Sequence, residues 1–139
     1  MLGSVGPRDV AITAAATSAL VHAVLAPEHF SDHPVVASLF VVATVALVLL
    51  SLALTRPWLR WAPIAGAVLF VVLILSYPLV HAITNEAWDA LGIGTKLIEA
   101  AGVVACLTSV RKLETSLAPL DVITGVFVGM ILLSFGHNH

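Results

Sequence analysis

Residues 35–55 contain no charged side chain, and neither do residues 62–83. A helix rises about 1.5 Å per residue, so about 20 residues cross the roughly 30 Å hydrocarbon core of a bilayer. Two such runs in one short chain demand a membrane solution, because no water-soluble core of this size could absorb them. Three further apolar stretches accompany them. Residues 10–26 form the first, residues 93–110 the fourth and residues 117–135 the fifth. The expected architecture is therefore an all-α, polytopic bundle of five transmembrane helices in one domain spanning residues 1–139. The competing arrangement has four spanning helices, with the fourth stretch re-entrant or interfacial. That stretch carries Lys96 and Glu99, and an ionised group at mid-bilayer costs roughly 2.5–3.5 kcal/mol on the insertion scale. Both charges lie in its first turns, where Lys96 can snorkel and pair with Glu99 at i,i+3.

Punctuation agrees with these spans. Pro7, Pro27, Pro34, Pro57, Pro63 and Pro119 fall at or near their ends, and only Pro78 lies well inside one, where it removes a backbone donor. Trp58, Trp61 and Trp88 fall in the connections, as interfacial aromatics do. Val24-Leu25-Ala26 resembles a signal-peptide cleavage site, but Pro27 after it disfavours cutting, so the first helix is expected to be retained. With 60% hydrophobic residues, a mean hydropathy of +1.07 and only 10% charged residues, disorder is excluded. Six Lys plus Arg against eight Asp plus Glu exclude nucleic acid as a partner. A single cysteine, Cys106, excludes an internal disulfide and any CxxC metal site.

The basic residues orient the bundle. Arg8, Arg56, Arg60, Arg111 and Lys112 share one side, with Lys96 alone opposite. The positive-inside rule makes that side cytoplasmic, with the N-terminus inside and, for five helices, the C-terminus outside. An Ala-, Val- and Leu-rich, lysine-poor composition is the style of a GC-rich bacterial genome, so the expected location is the bacterial inner membrane. All six histidines then fall on or near the outer side: His22, His29, His33, His81, His137 and His139.

Helical periodicity assigns inward faces. Ala11, Ala15, Ala19, His22, Ala23 and Ala26 share one face of the first helix, where small residues permit close approach in lipid. His22 should therefore point into the bundle. Tyr77, His81 and Asn85 share a face of the third helix. Thr95, Glu99, Gly102, Cys106 and Ser109 share one of the fourth. In the fifth, Asp121 reads as a charge at the helix start, and Gly125-xxx-Gly129 is a close-packing signal, within the bundle, between copies as a homo-oligomer, or toward a larger membrane complex.

The densest polar constellation is 27–34, Pro-Glu-His-Phe-Ser-Asp-His-Pro. A single helical turn between its prolines would set His29 and His33 at i,i+4, a spacing that lets two imidazoles share a metal. With His22, His81 or Glu99 as further ligands, imidazole and carboxylate suit Zn or Cu. The leading functional expectation is thus a small membrane protein with an outward-facing transition-metal site formed by His29, His33, His22, His81 and Glu99, for metal handling or a redox complex. Other readings use the same residues. His22 and His81 form an axial pair for haem b, or His and Glu serve a quinone. A structural accessory subunit binds no ligand, and a small oligomeric transporter or channel uses Glu99 and Asp121 along its path. Nucleophilic catalysis has little support, since there is no GxSxG stretch and Cys106 has no histidine at its level, so a non-enzymatic role is favoured.

Overall fold

The computed structural model describes residues 5–85 and 87–111. They form four α-helices: α1 (Pro7–His29), α2 (Pro34–Leu54), α3 (Ala62–Thr84) and α4 (Ala90–Arg111). Each is long and apolar enough to cross a membrane. The fifth expected span, residues 117–135 with Asp121, Gly125 and Gly129, lies outside the described residues, as do His137 and His139.

Short connections make consecutive helices antiparallel. α1 packs along α2 on one side and along α4 on the other. α3 leans chiefly on α4, has a thinner seam with α2, and lies diagonal to α1. The outer surface is aliphatic, with Leu20, Val42, Leu49, Val68 and Leu75 exposed. Such an exterior is matched by lipid tails, since helices satisfy their backbone groups internally.

The interior is built from small residues. α1 buries Ala11, Ala14, Ala15, Ser18, Ala19, His22 and Ala26. The expected alanine face is thus present with His22 on it, though Ala23 turns outward and Ser18 takes its place. α4 packs along this face, where Glu99 meets Ser18, and buries Ala105 and Cys106 in the same core. Gly102 lets α4 close on α3: a Cβ there would meet Phe70 Cε2 at 2.6 Å. Gly66 does the same from α3, where a Cβ would meet the Cys106 sulfur at 2.8 Å. Phe70, Leu47 and Leu54 are the largest fully buried apolar side chains.

Helix ends follow local chemistry. Proline opens α1 and α2, where a missing N–H costs nothing. The Gly6 N–H donates to the Asp9 carboxylate at 2.9 Å. Arg8 donates to the carbonyls of Leu54 and Arg56, so its guanidinium caps the carbonyl end of α2 from the start of α1. α3 ends on Asn85, whose φ of 54° is the left-handed conformation asparagine tolerates, and whose N–H donates to the His81 carbonyl at 2.9 Å.

Two expected boundaries move. α1 continues through Pro27 to His29, because proline in a last turn removes a single bond. The expected turn between Pro27 and Pro34 is therefore divided. Glu28 and His29 belong to α1, residues 30–32 form a turn, and His33 is the residue before α2. Preceding Pro34, His33 is held out of the helical region at φ −137° and ψ 69°. Its N–H still reaches the His29 carbonyl at 2.8 Å.

Candidate functional site

One end of the bundle holds most of the buried polar chemistry. α1 brings Ser18, His22 and His29 there, α3 brings Tyr77 and His81, and the start of α4 brings Thr95, Lys96 and Glu99. α1 and α3 finish at this end and α4 begins there, so residues far apart in sequence meet at one depth.

Glu99 is fully buried at 0% exposure, as is Ser18, and its neighbour Lys96 is 16% exposed. A carboxylate so placed needs partners on every side. Its Oε1 accepts the Ser18 hydroxyl at 2.7 Å, and its Oε2 accepts the Lys96 ammonium at 2.6 Å. Lys96 Nζ also donates to the Leu73 carbonyl of α3 at 3.2 Å and sits 5.5 Å from the centroid of the Tyr77 ring. The ion pair expected within α4 is present, and it is joined to both α1 and α3.

His22 lies beside this pair. Its Nδ1 is 2.8 Å from the Ser18 carbonyl and 3.4 Å from the Ser18 hydroxyl. A carbonyl can only accept, so Nδ1 carries the proton and a neutral ring keeps its electron pair on Nε2. The same arrangement recurs at His29, with Nδ1 2.9 Å from the Leu25 carbonyl, and at His81, with Nδ1 3.1 Å from the Tyr77 carbonyl. All three histidines hook onto the carbonyl one turn earlier and present Nε2 away from that carbonyl.

The three rings line a crevice of about 80 Å³, together with Val21, Leu25, Phe40, Ser76, Tyr77, Val80, Asp89, Gly92, Thr95 and Lys96. Rings make up much of its wall. His22 and His29 meet Phe40 edge-on at 5.5 and 5.1 Å between centroids. Trp88 stacks on His81 at 4.9 Å and meets Tyr77 edge-on at 5.1 Å. Gly92 admits the Tyr77 ring: a Cβ there would lie 2.7 Å from Tyr77 Cε2. Asp89 fixes the entry of α4 by accepting the Gly92 N–H. Among the described residues, two buried side-chain polar atoms have no hydrogen-bond partner, Tyr77 Oη and His81 Nε2. Both belong to side chains of this crevice.

His22, His29 and His81 line one cavity. Glu99 lies beneath it, engaged by Ser18 and Lys96, and His33 stands apart as the residue before α2. Among the described residues, no three His, Cys, Asp or Glu side chains are grouped to hold a metal ion. At about 10–15 Å³ per water, the crevice of about 80 Å³ has room for a small ring. Sequence reasoning passed over Ser18, Trp88 and Gly92 as parts of this site. The one signal for Ser18 was its place a turn before His22. No protein family, curated protein or solved structure is matched by this chain.

Proposed function

We propose that this chain is a small membrane-embedded binding protein that takes one polar aromatic ring, of the quinone and hydroquinone class, into the crevice between α1, α3 and α4. The observation that carries this reading is the pair of buried polar atoms without partners, Tyr77 Oη and His81 Nε2. Buried polar groups are hydrogen-bonded in the great majority of proteins, so two orphan atoms on side chains that line one cavity support a ligand there. With its proton on Nδ1, neutral His81 offers an acceptor at Nε2, and the Tyr77 hydroxyl is both donor and acceptor. A ring bearing hydroxyl or carbonyl oxygens answers both; Phe40 lines the crevice, and Trp88 backs the His81 and Tyr77 rings that do. The basic residues orient the crevice outward in a bacterial inner membrane.

The test uses Trp88 as reporter. In a Trp58→Phe/Trp61→Phe background it is the only indole left of the chain's three. Titrating a short-chain ubiquinone or menadione into protein in nanodiscs should give saturable quenching. Tyr77→Phe and His81→Leu should each weaken binding about tenfold, the size of one hydrogen bond of roughly 1.4 kcal/mol. Non-saturable quenching, equal in all variants, would overturn the reading.

A transition metal is the second reading. It is favoured by the backbone-anchored Nδ1 of His22 and His81, the arrangement in which metal-binding histidines are held. Zn²⁺ or Cu²⁺ calorimetry on wild type and His22→Ala/His81→Ala decides it: binding lost in the double variant supports the metal, and equal weak binding ends that reading.

A further inference from the structure

Glu99 has no direct opening to the crevice, yet two of its neighbours do. Lys96 touches the crevice and Glu99 Oε2, and His22 touches the crevice and, through Ser18, Glu99 Oε1. We propose that Glu99 is a proton-exchange site of the membrane interior, which protons reach from the crevice through His22 and Ser18.

The steps balance without any electron transfer. A proton from water in the crevice binds His22 Nε2. The Nδ1 proton, held by the Ser18 carbonyl at 2.8 Å in the resting state, swings to Ser18 Oγ, 3.4 Å from Nδ1, as the Ser18 hydroxyl proton passes to Glu99 Oε1 over 2.7 Å. The imidazole is left neutral as its other tautomer and Glu99 becomes a carboxylic acid. The Lys96 ammonium then keeps the Leu73 carbonyl and the Tyr77 ring as partners.

The surroundings favour this route. His22 and Ser18 come from α1, Lys96 from Glu99's own helix, and Tyr77 from α3 behind the ammonium. α2 contributes only Phe40 to the crevice, and it does not titrate. Delivery through Lys96 would require a buried ammonium to give up its proton, whereas the imidazole and hydroxyl each receive one proton as they release another. The hydroxyl that satisfies the buried carboxylate also stands 3.4 Å from an imidazole that lines the crevice, so the ion pair is linked to the cavity as well as neutralised. The inference needs only water in the crevice and stands apart from the identity of any ligand.

Infrared spectroscopy of the protein in nanodiscs tests it. The protonated Glu99 carbonyl band is assigned by its loss in Glu99→Gln. Wild type should gain this band as pH is lowered, and the band should shift promptly in D₂O. After a pH jump, Ser18→Ala and His22→Phe should slow its appearance on the order of a hundredfold, the lower end of what one positioned proton-transfer group contributes. Ser18→Thr, which keeps the hydroxyl, should restore the rate. A purely structural role would move the equilibrium without moving the rate. Unchanged rates in Ser18→Ala and His22→Phe would overturn the proposal. So would a wild-type Glu99 that neither titrates nor exchanges, a result that depends on no variant folding.

Discussion

Glu99 and Lys96 set the stakes at the scale of single residues. Each neutralises the other in a region where water is scarce, so removing one charge strands its partner. Glu99→Leu or Lys96→Met alone should cost about 3–5 kcal/mol, as breaking buried pairs does. The double variant should lose much less, because two apolar side chains of similar size leave no charge behind. Unfolding in a denaturing detergent, run as a double-mutant cycle, measures the difference. Additive losses would mean that the pair is not coupled. Residues differ in how far their roles can be read from sequence. His22 was legible because the alanines around it mark the inward face. The Lys96–Glu99 pair was legible because both partners sit on one helix at a fixed spacing. Ser18 was not. A helical serine commonly satisfies itself on its own backbone, as Ser38 does on the Pro34 carbonyl and Ser109 on the Ala105 carbonyl. Only tertiary packing decides that Ser18 reaches a carboxylate 81 residues away. That His29 and His33 do not share one helical turn has a local reason, the steric demand of Pro34 on the residue before it.

At the scale of elements, α4 is held by what its glycines leave out. Gly102 lies against Phe70 and Gly92 against Tyr77, whereas a Cβ on Gly94 would find open space, with nothing within 4 Å. Gly102→Ala should destabilise by about 1–3 kcal/mol, the usual cost of overpacking. Gly94→Ala should leave stability unchanged, and thermal melting of both variants in one detergent makes the comparison. Gly92→Ala is the functional counterpart. Its methyl would press on the Tyr77 ring, so ring binding in the Trp88 quenching assay should fall while the fold survives. Helix boundaries were less legible than helix identities. Prolines mark candidate ends, but whether a chain stops before proline or runs past it depends on how many bonds remain to be lost. At Pro27 one bond was at stake, and α1 kept going.

At the scale of the molecule, the described helices form a ring with unequal seams. Its up-and-down order places Trp58 in the α2–α3 connection and Trp88 in the α3–α4 connection, at opposite ends. In a Cys106→Ala background, Trp58→Cys and Trp88→Cys should therefore react with an impermeant thiol reagent from opposite faces of the membrane. The positive-inside rule adds that Trp58→Cys is the cytoplasmic one. Labelling of both from one face would contradict this order of helices. Four apolar helices and their antiparallel order were legible because hydropathy and loop length govern them directly. The crevice was legible only as a shared depth of histidines. Its aromatic wall depends on how Asn85 turns the chain and brings Trp88 back over His81, which no periodicity encodes.

The placement of both ions on α4 has a consequence for biogenesis. Three residues apart on one helix, Lys96 and Glu99 can join before any other helix is present. The segment leaving the insertion machinery is then close to electrically neutral on its own and need not wait for a partner to cancel its charge. Had the lysine belonged to α3 and the glutamate to α4, each would have entered the lipid alone. The hydroxyl of Ser18 and the carbonyl of Leu73 come later, as the helices assemble, and act as a check on correct assembly: only the finished arrangement gives the pair its remaining hydrogen bonds.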